Sequence, residues 1–228
     1  MASIVTEQSK AIARALSHAR MSTYERAAGC QQGAVEAIEL YTWNAQVSAA
    51  LMHPLHVCEV TIRNAVSDVL FKKYGEHWPW SQGFEQSLPN PQKSYSPTRD
   101  LQSVRNRFQK TSEVIPELKF VFWQMMFTKR HDGRLWNPHI QHAFPNLPNQ
   151  PIGKNRSMIN TDLEHVRQLR NRVAHHEPLL QRTLSDDLDK IFQLIEFRCA
   201  ETRRWVEQTQ SATQLIQAPH RGSCQSIN

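Results

Sequence analysis

The sequence predicts an all-α protein, a helical bundle, and three observations carry that reading. Between residues 33 and 74, Val35, Ile38, Leu40, Trp43, Val47, Leu51, Leu55, Val57, Val60, Ile62, Val66, Val69 and Leu70 recur largely at intervals of three and four, the period of a buried helix face. Glycine is scarce, with 7 in 228 residues, as expected where long helix interiors exclude it. No segment alternates apolar and polar residues with the two-residue period of a strand.

Taken in order, the first helix is expected over 6–17, with Ile12 and Leu16 on its apolar side, and a second amphipathic stretch from Ser22, a favoured cap type. Residues 33–74 form one or two helices, which Pro54 should kink or break and Gly75 should stop. Residues 76–97 read as a loop rich in proline, pinned by Trp78 and Trp80. Helix resumes over 98–110. Another begins at Pro116 and carries Leu118, Phe120, Val121, Phe122, Trp123, Met125, Met126 and Phe127, apolar enough to lie at the core centre. A loop or short helix over 135–144 leads to a linker rich in proline and asparagine. A helix then runs from about Asn155 to His176, stopped by Pro178. The last helix starts at Ser185, with Asp186 and Asp187 in its first turn, and its apolar face comprises Leu188, Ile191, Leu194, Ile195, Phe197 and Trp205. The expectation is one helical domain over 1–217 and a disordered tail over 218–228.

A net charge of +6 and a pI near 9.3 favour an acidic partner: RNA, DNA or a membrane surface. The cysteines Cys30, Cys58, Cys199 and Cys224 form no CxxC pair, which excludes a zinc ribbon or thioredoxin-type motif. Cys58 and Cys199 sit in apolar helical patterns and read as small core residues. With no apolar leader block and no run of eighteen apolar residues, the chain is expected to be soluble, cytoplasmic and without a membrane partner.

The stretch LRNRVAHHEPLL, residues 169–180, gathers two arginines, an asparagine, two histidines and a glutamate at a helix end. RNA cleavage by internal attack of the 2′-hydroxyl needs a base, an acid and positive charge on the phosphate. Histidine suits the proton transfers and arginine the phosphate; no metal or other cofactor is needed. Asn171 and His175 are four apart and share a helix face. Arg170 and His175 are about 140° apart on an ideal helix. They converge only through the length of arginine, helix distortion or a second copy of the motif. Val173 continues the stripe of Ile159, Leu163, Val166 and Leu169, so His176 borders the apolar face. His175 is therefore the chemical histidine and His176 a structural one. The alternative is a polar network that only ends a helix, since histidine is favoured at helix C-termini in any case.

LRNRVAHHEPL resembles the signature of the Abi-like (abortive infection) proteins, a branch of the HEPN superfamily: an arginine, a polar residue, a short spacer and a histidine, matched by Arg170, Asn171 and His175. Residues 55–78 are similar to that family's N-terminal helix, with Glu59, Arg63 and Asn64 at its acidic and Arg-Asn positions. Residues 118–137 resemble its central aromatic helix and Leu-Trp loop, and the similarity covers most of residues 35–200. The resemblance implies a HEPN-type bundle of long antiparallel helices that forms a homodimer, with two Arg-to-His motifs facing each other in one cleft. It implies metal-independent endoribonuclease activity in phage defence or as a toxin held by a protein or RNA antitoxin. Some HEPN proteins are inactive scaffolds; this sequence keeps the required residues. Arg172, His176 and Glu177 are supporting or RNA-binding candidates beside the motif. Glu59 and Arg63 form either an ordinary ion pair at i,i+4 or, with Asn64, a group that orients the motif or touches RNA.

Three histidine groupings are candidate metal ligands: His53 with His56; His131, His139 and His142; and His175, His176 and Glu177. None has a zinc-site spacing, so no metal is expected. Lys72, Lys73, Arg105, Arg107, Lys110, Lys129 and Arg130 are either an RNA path or ordinary solvated surface.

Overall fold

The computed structural model describes residues 6–218. The architecture is all-α, with twelve α-helices and no strand among the described residues. They are α1 (Thr6–Leu16), α2 (His18–Ala28), α3 (Val35–Tyr74), α4 (Gln82–Glu85), α5 (Pro97–Arg105), α6 (Thr111–Glu117), α7 (Phe120–Met125), α8 (Asn137–Ala143), α9 (Ile152–Ala174), α10 (Leu184–Arg198), α11 (Ala200–Thr209) and α12 (Ala212–Gln217). The described residues divide into two compact units: 6–53, 170–188 and 210–218, and 54–169 and 189–209. Three of the four divisions fall inside α3, α9 and α10, and the fourth lies between α11 and α12. The expected tail lies, past Ala218, outside the described residues, as does Cys224.

In the first unit, α1, α2 and the first half of α3 bury Ala13, Met21, Tyr24, Ala28, Ala37, Ile38 and Leu40, with Leu16, Tyr41, Trp43 and Leu180 packed against them. Tyr24 and Tyr41 meet edge to face at 5.1 Å. The second helix begins earlier than its sequence suggests. Ser17, not Ser22, is the cap, its Oγ accepting from the Arg20 N–H, and Ser22 lies inside α2 with its hydroxyl on the Ala19 carbonyl. The reason is a sharp turn at Ser17, which adopts φ 74° and brings α2 directly onto the end of α1. Trp43 donates to the Leu215 carbonyl at 3.0 Å, tying α12 into the same unit.

Pro54 neither breaks α3 nor divides it: the helix runs without interruption from Val35 to Tyr74. Proline removes one amide donor, but Leu51, Leu55 and Cys58 around it are all buried, and side-chain packing outweighs the missing bond. The helix stops at Gly75, which takes φ 84° and donates to the Phe71 carbonyl at 2.8 Å.

The second unit is organised by aromatic side chains. Trp78 is fully buried with its indole N–H on Ser67 Oγ at 3.2 Å. Trp136 donates to the Met126 carbonyl at 2.6 Å and stacks on Phe127 at 4.4 Å. Phe120, Phe122, Trp123, Met126 and Phe127 are buried, as their sequence predicts. They do not form one helix from Pro116, however. Pro116 lies near the end of α6, and Leu118 adopts an extended conformation before α7 begins. The start of α6 is set upstream, where Glu113 accepts from the Lys110 backbone N–H at 3.2 Å. The segment expected as a loop or short helix, 135–144, is for the most part the short helix α8, which follows a π-helical turn over Asp132–Trp136.

The stripe Ile159, Leu163, Val166, Leu169 and Val173 on α9 is buried as read, and so are Leu188, Ile191, Leu194, Ile195 and Phe197 on α10. Trp205 is not: it is 52% exposed, and Val206 takes the interior position. The helical pattern is interrupted at Cys199, between α10 and α11, so the phase of the earlier face does not carry over. Cys58 is buried, which pushes its thiol up, whereas Cys199 is only half-buried. A hydrogen bond with the Thr202 side chain, followed by one to the Thr202 backbone, draws the Cys199 thiol down.

Candidate active site

The residues of the motif sit at the C-terminal end of α9, and from Arg170 onward they belong to the first unit. The helix ends at Ala174. His175 still donates its N–H to the Asn171 carbonyl at 2.9 Å. The next two amides fold back: His176 N–H reaches the Val173 carbonyl at 3.2 Å and Glu177 N–H the Arg172 carbonyl at 2.8 Å. These are the two bonds of a Schellman stop, which requires a left-handed residue at the position His176 occupies. His176 has φ 56°, a conformation glycine adopts without cost and histidine does not. His176→Gly is therefore expected to stabilise the protein by about 1 kcal/mol. Urea unfolding checks this, and a loss of stability would show that the histidine ring itself holds the turn.

The turn is braced from four directions. The Arg172 guanidinium donates to the Pro178 carbonyl at 3.0 Å and lies 3.6 Å from the Glu177 carboxylate. Arg20 on α2 donates to the His176 carbonyl. The Leu179 N–H is accepted by Asn44 Oδ1 of α3 at 2.7 Å, and Asn44 is 5% exposed. Arg182 then grips Asp187 through two bonds of 2.7 and 2.6 Å, setting the chain into α10. Arg172, His176 and Glu177 thus end the helix and fix its exit path, while His175 stands exposed on the fixed turn. Arg170 and Asn171 are half-buried on the last turns of α9.

Asn44 and Arg20 have no signal in the local sequence. They reach the motif from 135 and 156 residues away, and only the fold brings them there. Asn44→Ala would leave the buried Leu179 N–H without its acceptor, so a loss of about 1–3 kcal/mol is expected. Hydrogen exchange at the Leu179 amide, read beside urea unfolding, tests it: an amide as protected as in the wild type would contradict the assignment.

Glu59, Arg63 and Asn64 belong to the second unit. Arg63 pairs with Glu59 one turn away on α3, both side chains being largely buried, and Asn64 is exposed. Among the described residues no three His, Cys, Asp or Glu side chains gather closely enough to hold a metal ion, and no helix is long and apolar enough to cross a membrane.

Comparison with family models, with curated proteins and with solved structures returns no match for this chain. A functional reading therefore rests on the chemistry of these side chains and on the sequence resemblance.

Proposed function

We propose that this protein is a metal-independent endoribonuclease of the HEPN type, acting in the cytoplasm as a phage-defence or toxin–antitoxin effector. The observation that supports it most is the exposed His175 on a braced turn, one helical turn beyond Asn171, which directly follows Arg170 in the chain. In this reading an imidazole accepts the proton of the ribose 2′-hydroxyl and the oxygen attacks the adjacent phosphorus. The bond to the 5′-oxygen breaks, and that oxygen takes a proton from an imidazolium. The Arg170 guanidinium neutralises the phosphate as charge builds on it, and Asn171 holds the substrate by hydrogen bonds. One histidine does not supply both proton transfers at once. A homodimer with two facing motifs provides the second and removes the 140° separation of Arg170 from His175.

The products carry the signature of this route. Purified full-length protein incubated with single-stranded RNA in EDTA should leave 2′,3′-cyclic phosphate and 5′-hydroxyl ends. Cleavage that stops in chelator, or leaves 5′-phosphate ends, would point to another mechanism.

A second reading is a non-catalytic RNA-binding or protein-scaffolding module. The commitment of Arg172, His176 and Glu177 to ending α9 favours it, since half of the polar motif has a structural task. It predicts salt-sensitive binding of RNA that remains intact, or no RNA binding at all.

A further inference from the structure

A cationic surface with an exposed aromatic ring lies in the second unit, at the end of α3. Lys72 and Lys73 occupy its last turn, and both are exposed. Phe71, immediately before them, is 54% exposed, the most open of the four exposed large apolar side chains among the described residues. Beside this turn lies α8. Its placement is set by Arg198, which donates to the Ala143 carbonyl at the end of α8 at 2.9 Å and also to the Asp68 carboxylate of α3 at 2.5 Å. Asp68 is one helical turn before Lys72, so the end of α8 is held against the end of α3. His139 and His142 stand three apart on α8 and share a face. After burial, the charges of Lys72, Lys73 and His142 are what hold the His139 pKa below its ordinary value, which places all four groups in one neighbourhood.

We infer that Phe71, Lys72, Lys73, His139 and His142, none of them part of the motif at the end of α9, form a binding surface for single-stranded RNA. Its chemistry is that of single-strand recognition: ammonium groups pair with successive phosphates, imidazole N–H groups donate to phosphate or ribose oxygens, and one open aromatic face stacks a base. A membrane surface suits it less, because Phe71 is a lone ring rather than part of an apolar stripe, and insertion needs a continuous one. The nearby acid Asp68 is neutralised by Arg198 and does not oppose a polyanion. The inference rests on the proposed function for the identity of the polyanion as RNA, and on nothing else in it. Such a surface would add binding energy without touching the reacting bond, so its loss should raise KM rather than lower kcat.

The test uses the full chain carrying His175→Ala, so that RNA survives the titration, with and without Lys72→Gln plus Lys73→Gln, and with Phe71→Ala. The probe is an unstructured single-stranded RNA, titrated at several salt concentrations, with thermal melts confirming the fold. The double lysine variant should bind about tenfold more weakly, with a salt slope shallower by about 1.4. Phe71→Ala should weaken binding about fivefold or more with an unchanged salt slope. If the unmodified chain cleaves RNA but these variants bind it as tightly as their parent, the surface is not an RNA site and the nuclease reading stands. If the variants lose binding while the unmodified chain cuts nothing, the surface stands and the nuclease reading falls. Binding to phosphatidylserine vesicles that depends on the lysines, without a matching effect on RNA, would overturn the inference in favour of a lipid surface.

Discussion

His175→Ala is expected to lower RNA cleavage by about 10²–10⁴-fold, the contribution of a positioned general acid or base, while leaving the protein folded. The second half of that statement comes from the geometry. The stop of α9 is made by backbone bonds of His176 and Glu177 and by the side chains of Arg172, Arg20 and Asn44. The His175 ring takes no part in these bonds and is exposed. Alanine therefore removes chemistry without removing a brace. Because the ring stands in solvent, free imidazole added to the His175→Ala variant has room to take its place and should restore part of the rate. A variant that cleaves at the wild-type rate would assign His175 to the surface. Arg170→Ala is expected to cost about 10²–10³-fold through loss of charge at the phosphate. If two facing motifs make one site and each imidazole performs one proton transfer, adding excess His175→Ala protein to the wild type should lower its activity, because a mixed dimer carries one imidazole instead of two.

A second large effect is expected from pH, and it lies in the second unit. His131 is 1% exposed, and neither ring nitrogen meets a hydrogen-bond partner in the protein. Burial first, then the charges of Arg130 and Arg134, pull its pKa from 6.5 to about 4, against a smaller pull upward from Asp132. The folded protein thus keeps His131 neutral where the unfolded chain protonates it. Stability is complete above the unfolded value near 6.5 and is lost as the pH falls toward 4, by about 3 kcal/mol over that window. His131→Phe replaces a desolvated polar ring by an apolar one of similar shape, so it should be neutral or stabilising at pH 7. It should also flatten the acid limb of the unfolding free energy. An acid limb as steep in His131→Phe as in the wild type would mean that other groups set it.

What the sequence made legible follows from the range of the interactions involved. The buried stripes of α3, α9 and α10 were readable because spacing of three and four depends only on neighbours along one helix, and the burial of the α7 aromatics because their segment is apolar almost all round. Boundaries were less so. Ser22 and Ser17 are equally good caps, and only the tight turn at φ 74° selects Ser17. Pro116 suits the first turn of a helix, yet upstream capping by Glu113 starts α6 earlier and leaves Pro116 near its end. Trp205 lost its place in the apolar face when the pattern restarted after Cys199. At the candidate site, the clustering of Arg170, Asn171 and His175 at a helix end was visible as spacing. The left-handed turn at His176 was not, because the residue that most favours that conformation is absent from it. Nor were the braces from Asn44 and Arg20, which arrive through tertiary structure alone.

The most direct measurement compares the rates at which purified wild type, Arg170→Ala and His175→Ala cleave single-stranded RNA in EDTA, with circular dichroism establishing that all three are folded. The account predicts cleavage by the wild type and a loss of at least about a hundredfold in both folded variants. Equal cleavage by all three, or intact RNA bound alike by all three, would contradict it.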